Sequence, residues 1–264
     1  VVIYNVTGVV NFAQGEFAMT GAVVAVTLVG LGVPLPLAAL GGVIAAALVG
    51  LVVWYVGLRG AARASLVVQV IVTIGVSIAL RGVVLLAFGP AAKPLPAFSP
   101  GGAISLGAAT VTPQQLWIAG IVVVLMGALW LLFERTRLGA ALLAASLNRE
   151  AARLMGIDPL RAGAVAFALG AALAGVAGVA IAPITLVSYD MGLSLGLKGF
   201  VAAVLGGIVS VPGAVVGGLL LGVLESVGAG VLSSGWRDAI AFAILIAVLL
   251  VRPQGLLGRS VARV

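Results

Sequence analysis

Residues 37–58 read LAALGGVIAAALVGLVVWYVGL, an uncharged and almost wholly apolar run of 22 residues. A helix of that length rises about 33 Å, enough to cross the hydrocarbon core of a bilayer. Similar runs occupy Phe17–Val33, Leu66–Gly89, Leu116–Phe133 and Ala162–Pro183, with a shorter one at Asp238–Val251. The turn Pro34–Pro36 separates the first two spans. Composition agrees with the runs. Of 264 residues, 63% are apolar and 8% charged, whereas a soluble domain is about 25% charged. So much apolar surface cannot be hidden inside a soluble globule of this size. An ordinary soluble enzyme and a disordered chain are therefore excluded. Long runs, rather than short alternating segments, disfavour a transmembrane β-barrel. The expected fold is all-α: a polytopic helical transmembrane bundle, one domain over residues 1–264. The chain opens at Val1, already apolar and without a basic flank, so a further N-terminal helix is expected to precede it.

The chain has no His and no Cys. Imidazole bases, Cys-His or Ser-His-Asp nucleophiles, zinc sites and disulfides are excluded with them. The net charge of +7 reads as basic loops beside a bilayer, and no nucleic-acid partner is expected. Arg59, Arg63, Arg135, Arg137, Arg149, Arg153, Arg161, Arg252, Arg259 and Arg263 fall on one side of the spans, ten of 14 bases. Lys93, Lys198 and Arg237 fall on the other, and Arg81 lies within a span. The positive-inside rule makes the first side cytoplasmic, with the C-terminus on it.

That orientation holds only if Lys198–Leu232 enters and leaves on one face. The stretch is too long for one span and too short for two. Gly206, Gly207, Ser210, Pro212 and Gly213 interrupt it. Proline removes a backbone donor and glycine weakens a helix. The reading is a half-helix, a break, then a helix from Ala214 to Leu232: a broken or re-entrant element near residues 198–232. Such interruptions point to a transport pathway. Downstream, Gly218, Gly222, Ser226 and Gly230 recur every four residues as a smooth ridge suited to helix contact. Glu225 lies beside that ridge, and Arg81 has Glu16 and Glu225 as possible partners.

Polar residues gather near the start of the chain. Asn5, Asn11, Gln14 and Glu16 stand in apolar surroundings, and buried amides and carboxylates are costly unless paired. On a helix, Asn11 and Gln14 would share a face. They read either as the lining of a substrate route or as polar groups capping a helix end. A second cluster, SLNREAARLMGID at 146–158, lies in the hydrophilic segment 134–161. Glu150, Ala151, Leu154 and Met155 can form one face of a short helix, with Arg149 and Arg153 beside it. Gly156 can end that helix and Asp158-Pro159 can start the next.

The run VVNFAQGEF at 9–17, followed by Met19 and Gly21, resembles the signature of branched-chain amino acid ABC transporter permeases, and the H-type subunit more than the M-type. Gln14 stands where that family usually has His. Glu150-Ala151-Ala152 with Gly156 is similar to the first half of the ATPase-coupling loop of ABC importer permeases. The Gly-rich stretch 197–214 and the tail LLVRPQGLLG at 249–258 are similar to the same family. The resemblance implies a permease domain with a cytoplasmic coupling loop at 134–161, in a bacterial inner membrane. It implies ATPase coupling through Arg149, Glu150, Ala151, Ala152, Arg153 and Gly156. Asn5, Asn11, Gln14, Glu16, Gly206, Gly207, Ser210, Pro212 and Glu225 are the candidate pathway. Implied partners are a homologous M-type permease, two ATPase subunits and a periplasmic or tethered amino-acid-binding protein. No cofactor is expected on this chain, which has no Gly-x-x-x-x-Gly-Lys-Ser/Thr phosphate loop and would hydrolyse nothing itself. The alternatives are a permease of the same family for urea, short amides or sugars, a self-sufficient secondary transporter, and a non-transporting membrane assembly protein.

Overall fold

A computed structural model describes residues 1–61, 64–106, 109–231, 237–252 and 254–257. Arg63, Leu232, Pro253, Gly258, Arg259 and Arg263, and the side chain of Arg237, lie outside the described residues. Twelve α-helices follow in order among those described. They are α1 (Val2–Thr7), α2 (Gln14–Gly30), α3 (Leu35–Val53), α4 (Arg59–Ala61), α5 (Leu66–Phe88), α6 (Pro113–Arg135), α7 (Arg137–Leu147), α8 (Arg149–Leu154), α9 (Pro159–Ile181), α10 (Met191–Gly206), α11 (Val211–Val231) and α12 (Arg237–Val251). A π-helical turn, Trp54–Leu58, joins α3 to α4. Among the described residues, five helical stretches are long and apolar enough to cross a membrane: Leu35–Ala61, α5, α6, α9 and α11. The all-α expectation holds. Among the described residues a small antiparallel pair is added, β1 (Ile104–Leu106) with β2 (Ala109–Val111), inside the 90–112 loop.

Helix α9 is the axis of the bundle. Helix α3 runs antiparallel to it: Gly50 packs on Phe167 and Ala171, and Gly175 on Ala46. At one end, Trp54 stacks on Phe167 with ring centroids 5.2 Å apart and donates to the Leu160 carbonyl at 3.1 Å. Helix α2 runs parallel to α9, and a Cβ on Gly21 would come within 2.7 Å of the Gly175 Cα. In lipid, apolar side chains gain little by leaving one apolar surface for another, so close backbone approach through small residues holds helices together. Gly21, Gly42, Gly50, Gly175 and Gly178 lie at these crossings. The outer helices differ. Gln114 is the only buried residue of α6, and only Gln69, Thr73 and Ser77 are buried on α5.

Several boundaries move from the sequence expectation. Helix α2 begins at Gln14, three residues before Phe17, and Asn11 lies in the turn ahead of it. Asn11 and Gln14 therefore do not share a helix face. They meet across the turn, where Asn11 Nδ2 donates to Gln14 Oε1 at 3.4 Å and the Asn11 carboxamide oxygen accepts from Ala13 N at 3.0 Å. Helix α10 begins at Met191, so Lys198 is eight residues from Asp190 and inside the helix, not in an external loop. The break is short. Gly207 has φ +106°, and α11 starts at Val211. Ser210 caps α11 by accepting from Gly213 N at 3.0 Å.

The glycine ridge on α11 also moves. Gly213, Gly217 and Leu221 form its buried stripe. A Cβ on Gly217 would strike the Ala202 carbonyl, and one on Gly206 the Gly213 carbonyl. Gly222, Ser226 and Gly230 instead face outward, and a Cβ on Gly222 or Gly230 would meet nothing within 4 Å. A ridge one position away carries the contact because α10 docks on the face that also holds Glu225.

Candidate translocation and coupling sites

Helix α2 starts halfway along α9. Gln14 Nε2 donates to the Gly170 carbonyl at 2.8 Å, and Gly170 is the twelfth residue of the 23-residue α9. The chain before it folds back. Ile3 packs on Gly170, and Val6 packs among Leu142, Ala145, Ala162 and Ala166 near the start of α9. Thus α1 descends towards the end of the bundle that carries α8, and residues 8–13 climb back. Gly8, with φ +71°, makes the reversal, a left-handed conformation that glycine adopts at little cost. Asn5 Nδ2 donates to the Val209 carbonyl in the α10–α11 turn at 2.9 Å.

Two residues beyond Gln14 the bundle holds a buried ion pair. Glu16 is 1% exposed, and its Oε1 lies 3.2 Å from Arg81 Nε. Ser77 Oγ donates to the same oxygen at 2.8 Å and accepts from Arg81 Nη2 at 3.3 Å. Glu16 Oε2 has no hydrogen-bond partner among the described residues and abuts Gly192. Gly15 packs on the Gly192 carbonyl and Gly196 N. Three helices therefore converge here: α2, α5 and α10. Of the possible acids for Arg81, the structure selects Glu16.

Ser77 was absent from the sequence-derived candidates, as were Gln69 and Thr73. A signal for them exists. Gln69, Thr73, Ser77 and Arg81 recur every four residues through an otherwise apolar run, which aligns them on one helix face. That face turns inward and the apolar faces turn outward, the reverse of a soluble helix. Outside is lipid, so polarity is buried.

Helices α10 and α11 form an antiparallel hairpin. Lys198 Nζ meets Glu225 Oε2 at 3.1 Å across it, which gives Glu225 a neighbouring-helix partner. Val209 turns at the α8 end, and the tail joins there: Leu256 N donates to Leu205 O at 2.8 Å and Leu257 N to Gly206 O at 3.0 Å. Gly206, Gly207, Ser210 and Pro212 therefore shape the hairpin turn. On the other side of α10 lies a cavity of about 520 Å³, lined by Ser188, Asp190, Ser194, Lys198, Leu186 and Phe242 among others.

Helix α8 is built as a rigid projection. Asn148 Oδ1 accepts from Glu150 N and Ala151 N, both at 3.0 Å. At the other end Gly156 has φ +81°. Gly156 N bonds Arg153 O at 3.0 Å, and Ile157 N bonds Ala152 O at 2.9 Å, a Schellman closure. Asp158 then caps α9 through Leu160 N at 2.9 Å. Ala152 alone is buried, while Leu154 is 89% exposed and Met155 81%.

A family model described as the permease component of branched-chain amino acid transport systems matches residues 1–249. The chain belongs to this family. Among relatives of the permease, the high-affinity branched-chain amino acid transport system permease protein BraD of Pseudomonas aeruginosa is 36% identical. That match covers 97% of this chain and 88% of BraD. The permease protein LivH of Escherichia coli is 35% identical with the same coverage. The probable permease LivH of Methanocaldococcus jannaschii is 31% identical over 97% of this chain and 85% of its own length. No solved structure matches the chain. Family membership accords with the multi-pass helical architecture and makes this a membrane transport component.

Proposed function

We propose that this permease is one membrane subunit of an ABC importer that carries branched-chain amino acids inward across the bacterial inner membrane. The single observation that carries the coupling part is α8. A helix capped at both ends presents Leu154 and Met155 to solvent, at the end of the bundle where Arg59, Arg135, Arg137, Arg153 and Arg161 collect. Large apolar side chains exposed on a basic loop call for a protein partner. The partner would be a cytoplasmic ATPase, with Arg149, Glu150, Ala151, Ala152, Arg153 and Gly156 forming or positioning the contact. Two such ATPases, a homologous M-type permease and an amino-acid-binding protein would complete the importer. ATP would be used by the ATPase subunits, and this chain would bind no cofactor. On this reading the α8 end and the C-terminus are cytoplasmic.

Transport would proceed by alternating access between two packings of the bundle. The break before α2 and the α10–α11 hairpin supply backbone that is not committed to a continuous helix. Asn11, Gln14 and Glu16 lie at mid-depth, where a polar substrate would cross. The test is reconstitution with its neighbouring subunits in proteoliposomes. ATP-dependent uptake of leucine, isoleucine and valine is the expected result. Uptake of urea, a short amide or a sugar instead would refute the substrate class. Uptake driven by an ion gradient without the ATPases would refute the importer class.

A further inference from the structure

The helix that would receive the ATPase and the segment that would line the pathway are joined by one side chain. Arg149, the first residue of α8, donates from Nη2 to the Thr7 carbonyl at 2.5 Å. Thr7 is the last residue of α1. A helix C-terminus concentrates partial negative charge on its carbonyls, so a guanidinium binds there with a charge-assisted bond. The α1 end is otherwise closed on itself: Gly8 N bonds Tyr4 O at 2.7 Å, and Thr7 Oγ1 donates to Ile3 O at 2.7 Å. From Thr7, α1 runs as a short rod to Ile3, which packs on Gly170 where Gln14 also bonds. Asn5, on the same rod, holds the α10–α11 turn.

We propose that Arg149 is the positioning residue through which a movement of α8 is transmitted to α1, and thence to the Gln14 end of α2 and the Gly207–Ser210 turn. The proposal rests on the reading of α8 as the ATPase dock, but adds to it. Arg149 is itself exposed but its guanidinium reaches back to the Thr7 carbonyl, while Leu154 and Met155 make no such contact and stand open to solvent. Docking and transmission are thereby divided between residues of one six-residue helix. Gly8 allows α1 to rotate without dragging α2 as a continuous rod. Its acceptor in the Arg149 contact is a backbone carbonyl, that of Thr7.

The test uses the assembled importer with its ATPases and binding protein in proteoliposomes. Loss of one charged hydrogen bond corresponds to about a tenfold effect, so Arg149→Ala is expected to lower uptake per ATP hydrolysed about tenfold. The ATPase subunits should still co-purify, and Arg149→Lys, which keeps a cationic donor, should recover much of the loss. An unchanged ratio in Arg149→Ala would overturn the proposal. So would loss of ATPase co-purification in that variant, which would make Arg149 a docking residue. Leu154→Asp tests the underlying reading separately: lost co-purification is expected, and retained co-purification would sink the dock and with it the proposal, an outcome distinct from an unchanged ratio in Arg149→Ala. If Arg149→Ala fails to accumulate, Thr7→Cys with Arg149→Cys can be bridged by a bis-methanethiosulfonate linker of arginine length. The chain has no other cysteine. The bridged protein should keep transporting, because α1 and α8 move together; uptake lost on bridging and recovered on reduction would overturn the proposal.

Discussion

Glu16 on α2 and Arg81 on α5 form an ion pair with an N–O distance of 3.2 Å, in which the acid side chain is 1% exposed and the base 24%. The two residues are 65 positions apart, and no local rule connects them. Removing one partner of such a pair leaves a buried charge uncompensated, at a cost of about 3–5 kcal/mol. Glu16→Ala and Arg81→Leu are each expected to lower the detergent melting temperature and the amount of folded protein. The double variant Glu16→Ala/Arg81→Leu should recover most of that loss in size-exclusion and thermal-shift measurements. Losses that simply add would mean that the pair is not coupled.

Gly15 permits the contact of α2 with α10. A Cβ there would collide with the Gly192 carbonyl, and both groups are backbone, so neither can rotate aside. Overpacking of this kind costs about 1–3 kcal/mol, and Gly15→Ala should be destabilised by at least that amount. Gly120 on α6 is the control, because a Cβ there meets nothing within 4 Å. Gly120→Ala should gain about 0.5–1 kcal/mol from helix propensity. Equal thermal shifts for the two variants would contradict the α2–α10 packing.

Gly156 should be sensitive to backbone handedness and not to volume. Nothing lies within 4 Å of its would-be Cβ, yet its φ is +81°. An L-residue in that region costs roughly 1–2 kcal/mol, and Asn less than others. Uptake per ATP should therefore fall in the order Gly156→Asn, Gly156→Ala, Gly156→Val, with membrane insertion preserved. If Gly156→Val showed the least loss, the cap would not be what sets α8.

The absence of cysteine makes topology directly measurable. Met155→Cys at the α8 end and Gly102→Cys in the 90–112 loop are both exposed positions. An impermeant maleimide should label Gly102→Cys from the outer face of intact cells and Met155→Cys only after permeabilisation. Labelling of both from one face would rule out the proposed orientation.

Much of the site was readable before folding was considered. Helix α8 was readable locally: Gly156 after it and Asp158-Pro159 opening α9 act within a few residues, whereas the Asn148 cap emerged only from the structure. The Gly206–Gly213 break was equally local, since proline and glycine act through their own backbone. The pairings were not readable. Arg81 with Glu16, Lys198 with Glu225 and Arg149 with the Thr7 carbonyl each depend on which helices become neighbours. The polar spacing Gln69–Thr73–Ser77–Arg81 was present in the sequence but passed unnoticed inside an apolar run.

The sequence by itself determined that the chain lives in lipid, that it is helical, where its helices break and which end gathers the bases. Those properties follow from hydropathy, backbone restrictions and charge, all of which act residue by residue. Tertiary structure alone decided that α2 begins halfway along α9 beside Gly170, that Gly213 and Gly217 rather than Gly222 and Gly230 carry the α11 contact, and that the Arg149 guanidinium meets the end of α1. In a bilayer every face of an apolar helix is nearly equivalent to lipid. Only the fit of small residues and the meeting of buried polar groups can choose among those faces, and both require the partner helix to be in place.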